Sequence, residues 1–284
     1  MLYSEQANLV FIHVPKNAGK SIRNAFGRSA GMSWSFLASD LGVSESRAAQ
    51  LMDEEVDVPG LGIVKPAHLP LPIVEARFPA TWATIRSARS FVLVRPPRDR
   101  FFSALMQRLG EFAGIQGVRA DDPLVCREAA RVCEWLEGRG VFCDVEYIHF
   151  SRQTDYADLR GERVVSAIFP LDRIAGAAQW IEAETGLKLD VAHDHARREP
   201  RRWVGAIQPA ARFIGRRVMP SAMKKALYPL WMNSGVFSDA ASRYDTIDLG
   251  EDVERFIADY YAADARLYEE AVRQVNAPSL HVSA

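Results

Sequence analysis

Apolar residues of this chain occur in short continuous runs, each followed by a basic turn and then by apolar positions at helical spacing. The first run, residues 9–14, has the length of a strand and is largely β-branched or aromatic. Such a run is typical of a strand that is covered on both faces in a parallel sheet. Pro15 ends the run, and helical spacing follows Gly19. The pattern predicts a strand, a short turn and a helix.

The same alternation continues along the chain and predicts the fold class. Further apolar runs at 90–95 and 164–169 predict strands, and Pro97 is well placed to begin a helix. Helices are also predicted at 123–137 and 174–185. Strands that alternate with helices favour an α/β protein with four or five parallel strands and helices on both faces of the sheet.

The length of 284 residues is sufficient for one large domain with its own core. We predict one domain over residues 1–284, with a basic helical elaboration at about 197–236 and a closing helix at about 251–275. Residues 197–225 include nine Lys or Arg residues and one acid, so their net charge is about +8. This segment is predicted to be a solvated helix face, a wall of an acceptor site or a surface that rests on anionic lipid.

Charge and cysteine content narrow the class of protein. The net charge of −1 argues against a general nucleic-acid binder. The three cysteines form no CxxC pair, and we expect them to be reduced rather than disulfide-bonded or zinc-bound. The amino terminus lacks the basic start and long apolar region of a signal peptide, and its apolar run is too short to span a bilayer. We therefore expect a cytoplasmic enzyme.

The turn after the first strand has the features of an anion site. The first amides of a helix have no acceptor within the helix, so a helix that begins near Gly19 can hold an anion. Lys16 and Lys20 add positive charge, and Ser21 adds a hydroxyl donor. Gly19 lets a ligand approach the backbone closely. The residues GKS match the second half of the nucleotide-binding pattern GxxxxGK[ST], but Val14 stands where the first glycine is required.

A second basic turn follows the strand predicted at 90–95. Arg95, Arg100 and Ser103 are placed around the end of this strand and the first two turns of the next helix. Arginine can bind two phosphate oxygens at once, so this turn is predicted to bind a phosphate. The second strand of a nucleotide triphosphatase normally ends in an Asp that helps to hold magnesium, whereas Arg95 stands here.

The two turns together resemble the donor site of sulfotransferases that use PAPS (3′-phosphoadenosine 5′-phosphosulfate). Residues 95–103, RPPRDRFFS, look like the family's 3′-phosphate motif, R-x-P-x-x-R-x-x-S. Residues 15–21, PKNAGKS, resemble its 5′-phosphosulfate loop, and AHLP at 67–70 is similar to its histidine loop. Pro96 and Leu105 depart from the family, in which an acid and an aromatic residue are common at these positions.

The resemblance implies a P-loop-like three-layer α/β fold with a central, mostly parallel sheet flanked by helices. It implies transfer of a sulfuryl group from PAPS to a hydroxyl of a small-molecule, glycan or glycolipid acceptor, with PAP as the product and no metal required. Lys16 is then catalytic at the leaving oxygen, and His68 is the general base for the acceptor hydroxyl. The implied donor-binding residues are Lys16, Asn17, Ala18, Gly19, Lys20, Ser21, Arg95 and Ser103.

Several residues keep a second interpretation. His68 is expected in a loop past the carboxyl end of a strand, where open α/β sheets bind ligands, but a lone loop histidine is also consistent with a structural role. Arg100 is equally suited to brace its helix through a carboxylate. Gln153 and Asp172 correspond to a later loop and turn of the same family, and they suit loop orientation as well as substrate contact. His13 is predicted to pack or hydrogen-bond within its strand.

Two other functions fit parts of the sequence. The GKS turn also suits an ATP-dependent kinase of small molecules, which predicts dependence on magnesium. The altered Pro96 and the basic segment at 197–225 suit a non-catalytic relative that binds an anion or a membrane. This second alternative predicts nucleotide or lipid binding without turnover.

Overall fold

The structure is a computed structural model that describes residues 1–17, 19–29, 31–112, 122–189, 198–200, 237–239 and 247–276. The chain divides into two compact units. Met1–Ala192 and Asp248–Ala284 form the first, and His193–Ile247 form the second. The basic segment at 197–225 lies almost wholly outside the described residues.

The helices and strands are numbered in chain order. The described strands are β1 (Leu2–Ser4), β2 (Leu9–Phe11), β3 (Val56–Val58), β4 (Gly62–Val64), β5 (Arg89–Val94), β6 (Asp158–Leu159), β7 (Glu162–Arg163), β8 (Ala167–Pro170), β9 (Arg198–Pro200) and β10 (Phe237–Asp239). The described α-helices are α1 (Gly19–Ser29), α2 (Ser35–Leu41), α3 (Glu45–Leu51), α4 (Leu71–Arg77), α5 (Pro79–Ser87), α6 (Pro97–Glu111), α7 (Pro123–Leu136), α8 (Ile174–Thr185), α9 (Glu251–Tyr260) and α10 (Ala262–Asn276).

A mixed four-stranded sheet in the order β1-β2-β5-β8 forms the centre of the first unit. Strands β2, β5 and β8 are parallel, and β1 is antiparallel to β2. The protein is therefore α/β, with a central sheet flanked by helices. The prediction of four or five parallel strands is wrong for the described residues, in which three central strands are parallel. Only four residues connect β1 to β2, and parallel neighbours need a much longer crossover.

Both faces of the central strand β5 are covered. Its residues Phe91, Val92, Leu93 and Val94 have no exposed surface, and successive side chains of a strand point to opposite faces. The ring of Phe91 lies 6.4 Å from that of Phe26 in α1 and 6.1 Å from that of Trp180 in α8, between centroids. These two helices therefore cover the same face of the sheet. Burial of each large apolar side chain contributes about 1.5–3 kcal/mol, so β5 anchors the core.

Helix α6 begins at Pro97, as predicted, but the closing stretch differs from its prediction. Residues 251–275 were predicted as one helix and form two, α9 and α10, which meet at Tyr261. Tyr261 is buried, and its hydroxyl donates to the backbone carbonyl of Phe150 at 2.6 Å. This bond holds the junction in place. Over the described part of the chain, no helix is long and apolar enough to cross a membrane.

Candidate active site

Two basic loops lie at the same edge of the central sheet. Lys16 follows β2, Arg95 follows β5, and these two strands are parallel neighbours. The carboxyl ends of parallel strands share one edge of a sheet, which is the usual ligand-binding edge of open α/β sheets. We call residues 14–17 the Lys16 loop and residues 95–97 the Arg95 turn. The two segments predicted to bind anions are therefore adjacent.

The Lys16 loop is a tight turn that contacts α6. The backbone N–H of Asn17 donates to the carbonyl of Val14 at 3.3 Å, and Lys16 has a φ of +70°, which is unusual for a residue with a side chain. Nζ of Lys16 donates to Oε1 of Gln107 at 2.5 Å. Gln107 follows Ser103 by four residues in α6, so the two side chains share the helix face that meets Lys16.

A buried side-chain amide joins the Lys16 loop to the Arg95 turn. Oε1 of Gln153 accepts hydrogen bonds from Nδ2 of Asn17 at 2.8 Å and from the backbone N–H of Arg95 at 2.9 Å. Nε2 of Gln153 donates to the carbonyl of Arg95 at 2.8 Å. Nδ2 of Asn17 also donates to the carbonyl of Leu93 at 2.7 Å. Gln153 thus orients the two loops, which was one of its two predicted roles. The backbone N–H and Nδ2 of Asn17 hold the Lys16 loop in place.

The space beside the α-carbon of Gly19 is filled by His13. A Cβ at position 19 would lie 1.9 Å from Nε2 of His13, far inside van der Waals contact. Gly19 was predicted to leave room for a ligand at the start of α1. In this structure the imidazole of His13, two residues after the end of β2, takes up that room, so internal packing alone accounts for the glycine.

We expect Gly19→Ala to lower the free energy of unfolding by about 1–3 kcal/mol, because the ring of His13 has to move. Urea unfolding measures the change. In a His13→Ala background the same substitution should cost nothing or be stabilising, since alanine is the better helix former. Equal losses in the two backgrounds would contradict the contact.

His68 follows a strand that does not belong to the central sheet. It ends a 3-10 turn, Pro66–His68, that follows β4, and among the described strands β4 pairs with β3 in a separate hairpin. The prediction that His68 follows a strand is therefore right, but the strand does not belong to the open sheet. The hydroxyl of Tyr156 donates to the carbonyl of His68 at 2.8 Å. Nδ1 of His68 is buried and has no hydrogen-bond partner among the described residues.

Three histidines from separate segments form a cluster near the Lys16 loop. The ring centroids of His13 and His68 are 4.7 Å apart, and those of His68 and His149 are 5.4 Å apart. Burial lowers the pKa of His13 and His68 well below 6.5 and that of His149 to about 3. The charge of Lys16 contributes to the lowered pKa of His13 and His149. The three imidazoles are therefore neutral at pH 7.

The Arg95 turn contains the residues predicted to bind the 3′-phosphate. The side chain of Arg95 is 16% exposed, and its Nη2 lies 3.9 Å from Oδ2 of Asp99 in the first turn of α6. Ser103 is buried in the second turn of the same helix. A phosphate bound here would therefore share the guanidinium of Arg95 with a carboxylate.

Arg100 is a brace within the protein interior. Its side chain has no exposed surface, and it donates to the backbone carbonyls of His149, at 2.9 Å, and Ser151. Nη2 of Arg100 lies 3.9 Å from Oδ2 of Asp264 in α10. Of its two predicted roles, contact with a carboxylate is the one that the structure shows. Arg100 holds the segment that leads into Gln153.

The remaining predicted residues are Ala18, Lys20, Ser21 and Asp172. Ala18 and the side chains of Lys20 and Ser21 lie outside the described residues. Asp172 lies in the turn after β8, and its Oδ1 accepts a hydrogen bond from the hydroxyl of Tyr268 at 3.5 Å. No group of three or more His, Cys, Asp or Glu side chains in the described part of the chain is arranged to hold a metal ion.

Sequence reasoning did not assign three residues to the site. His13 stands two residues after Phe11, and the rings stack at 5.9 Å between centroids, so strand alternation could have placed His13 beside the sheet core. Gln107 stands one helical turn after Ser103, which is also a readable signal. His149 has no comparable signal, because its position depends on contacts with distant segments.

No family model, characterised protein or solved structure matches the chain. Function therefore has to be inferred from the site itself. The site combines two cationic loops at one sheet edge, a cluster of neutral imidazoles and a buried amide between the loops.

Proposed function

We propose that this protein is a PAPS-dependent sulfotransferase that transfers a sulfuryl group to an acceptor hydroxyl, with a carbohydrate or glycolipid as the expected acceptor. The supporting observation is that the Lys16 loop and the Arg95 turn are neighbours at the carboxyl ends of β2 and β5. PAPS carries a phosphosulfate and a separate 3′-phosphate. Two cationic loops held beside each other suit a ligand with two anionic groups. A P-loop-like fold belongs to the same proposal.

Lys16 is the proposed electrostatic catalyst, and PAPS supplies the activated sulfuryl group when it is bound. The ammonium of Lys16 would stabilise the negative charge that develops on the leaving oxygen. Its Nζ already lies 2.5 Å from Oε1 of Gln107, on the face of α6 that also carries Ser103. The residues proposed for the two anionic groups of the donor are thereby connected through α6.

His68 is the proposed general base. Its neutral imidazole can take the proton of an acceptor hydroxyl as the hydroxyl oxygen bonds to sulfur. The lowered pKa makes His68 a weak base in the free protein, through burial first and the neighbouring His13 and His149 next. A bound anion raises the pKa of a nearby imidazole, so donor binding would bring His68 closer to the basicity that this role requires.

Calorimetric titration with PAP tests the proposal. We expect binding that needs no metal and that Arg95→Ala weakens by at least about tenfold, since a hydrogen bond to a charged group contributes about 1.5–3 kcal/mol. Arg98→Ala is the matched control because it removes an arginine of the same helix start that pairs with Glu254 at 2.7 Å. This variant should bind PAP as the wild type does.

ATP is titrated in parallel, with and without magnesium. Binding of ATP that requires magnesium, with no response to PAP, would refute the sulfotransferase proposal and favour the kinase. PAP binding without turnover of PAPS on any carbohydrate or lipid acceptor would favour the non-catalytic relative. The titrations separate the sulfotransferase from the kinase, and the turnover assay separates it from the non-catalytic relative.

Location and membrane contact remain part of the proposal. Cys126, Cys133 and Cys143 are free thiols, which suits a reducing cytoplasm. Contact with anionic lipid through 197–225 remains a prediction, because nearly all of that segment lies outside the described residues.

A further inference from the structure

One side-chain amide, that of Gln153, forms hydrogen bonds with both loops of the candidate site. Gln153 accepts from Asn17 of the Lys16 loop and from the backbone N–H of Arg95, and it donates to the carbonyl of Arg95, with all three distances between 2.8 and 2.9 Å. Neither Gln153 nor Asn17 has exposed surface. Water therefore cannot easily replace these bonds, and a movement of one loop is transmitted to the other.

We propose that Gln153 is a positioning residue that couples the two anion subsites, so that the 5′ and 3′ groups of the donor bind cooperatively. This inference rests on the proposed function. A ligand with two anionic groups at a fixed spacing gains full affinity only when both subsites are held at the matching distance and orientation. Gln153 fixes the relative position of the two subsites without contacting the ligand.

The backbone of Gln153 is held in place by Asp264 of α10. Oδ2 of Asp264 accepts from the backbone N–H of Gln153 at 2.7 Å, and Oδ1 accepts from the backbone N–H and the hydroxyl of Thr154, both at 3.0 Å. Asp264 has no exposed surface. The backbone of Gln153 is thus fixed before any ligand binds, so its amide can hold the loops without a further ordering cost.

The test compares PAP with its two halves, 5′-AMP and 3′-AMP, in calorimetric titrations. Adenosine is titrated as well, because both mononucleotides contain it. The coupling factor is the product of the two mononucleotide dissociation constants divided by the product of the dissociation constants of PAP and adenosine. In Gln153→Met, which keeps the shape and loses the three bonds, we expect this factor to fall by about 5–150-fold. The affinities for the two mononucleotides should each change by less than about 1.5-fold, so that their product changes by less than the smallest expected loss of coupling.

Thr154→Val is the matched control. It removes the hydroxyl bond to Asp264 in the same turn and leaves the three bonds of Gln153 in place. We expect this variant to lose stability and keep the coupling factor of the wild type. A merely structural role of Gln153 would make the two variants alike.

The outcomes separate the inference from the function on which it rests. Wild-type protein that binds no PAP overturns the proposed function and the inference with it. Wild-type binding of PAP together with an unchanged coupling factor in Gln153→Met overturns the inference alone. If Gln153→Met does not fold, Asn17→Ala cuts the same link from the Lys16 loop and must show the same loss of coupling.

Discussion

Replacing Asp264 with alanine is expected to lower the free energy of unfolding by about 3–5 kcal/mol, the usual cost of breaking a buried ion pair from one side. Neither Asp264 nor Arg100 has an exposed side chain, and their charged groups are 3.9 Å apart. The substitution leaves the guanidinium buried without its counter-charge. It also removes the acceptor for the backbone N–H groups of Gln153 and Thr154.

Urea unfolding of the two carboxylate variants Asp264→Ala and Glu254→Ala measures this effect against a suitable control. Glu254 in α9 pairs with Arg98 of the same helix α6, but the two side chains are 31% and 29% exposed. An exposed pair contributes about 0–1 kcal/mol, so Glu254→Ala should be far milder. Similar losses in the two variants would show that burial of the Asp264 charge is not the cause of the lost stability.

A double variant identifies the interaction that is lost. Arg100→Leu on its own leaves the Asp264 carboxylate buried and unpaired. Combined with Asp264→Ala, it should cost clearly less than the sum of the two single substitutions, because neither charge then remains without its partner. Strict additivity would mean that the two groups do not interact at 3.9 Å.

The central strands could be read from the sequence because each is defined by its own residues. β2, β8 and residues 91–94 of β5 are short, continuous apolar runs, and burial of both faces requires such a run wherever the strand lies in the sheet. β1 has three residues and a polar turn, so it carries no such signal; its pairing with β2 comes from the turn. The break at Tyr261 was missed for a related reason, since the apolar stripe continues across it and a hydroxyl bond to a distant carbonyl fixes the junction.

The candidate site likewise has one part that the sequence predicts and one part that it does not. Lys16 and Arg95 follow strands that their own sequence predicts, and parallel pairing alone brings them to one edge. The residues that hold these loops come from far along the chain. Asn17 and Gln153 are 136 residues apart, and Gln153 and Asp264 are 111 apart. No local pattern records such contacts, because either partner alone is an ordinary polar residue whose burial depends on the whole fold.

Acidification from pH 7 to pH 5.5 is expected to destabilise the protein through the histidine cluster. The pKa of His13 and of His68 is lowered well below 6.5, and that of His149 to about 3, with burial as the largest cause in each case. Below pH 6.5 the unfolded chain therefore binds protons that the folded protein does not. Stability is lost from about pH 6.5 downward, and for His149 the loss continues to about pH 3.

Each histidine contributes a slope of at most about 1.4 kcal/mol per pH unit within this window. Asp155 and Asp264 act in the opposite direction, because burial raises the pKa of both carboxyls, that of Asp155 to about 6, and the folded protein then takes up a proton first. The amino group of Met1 acts in the direction of the histidines, because burial lowers its pKa to about 5. Three histidines and this amino group outweigh two aspartates, so the net effect is still destabilisation.

Urea unfolding at several pH values in the wild type and in His149→Gln isolates one member of the cluster. His149 is buried, and glutamine stays neutral while the backbone carbonyl that accepts from Arg100 is retained. Asp155 and the other titrating groups are common to both proteins, so the difference between their pH profiles reports on His149. The variant should lose less stability on acidification, by about 1 kcal/mol per pH unit below pH 6. Parallel profiles would mean that the imidazole of His149 takes up its proton as easily in the folded protein as in the unfolded chain.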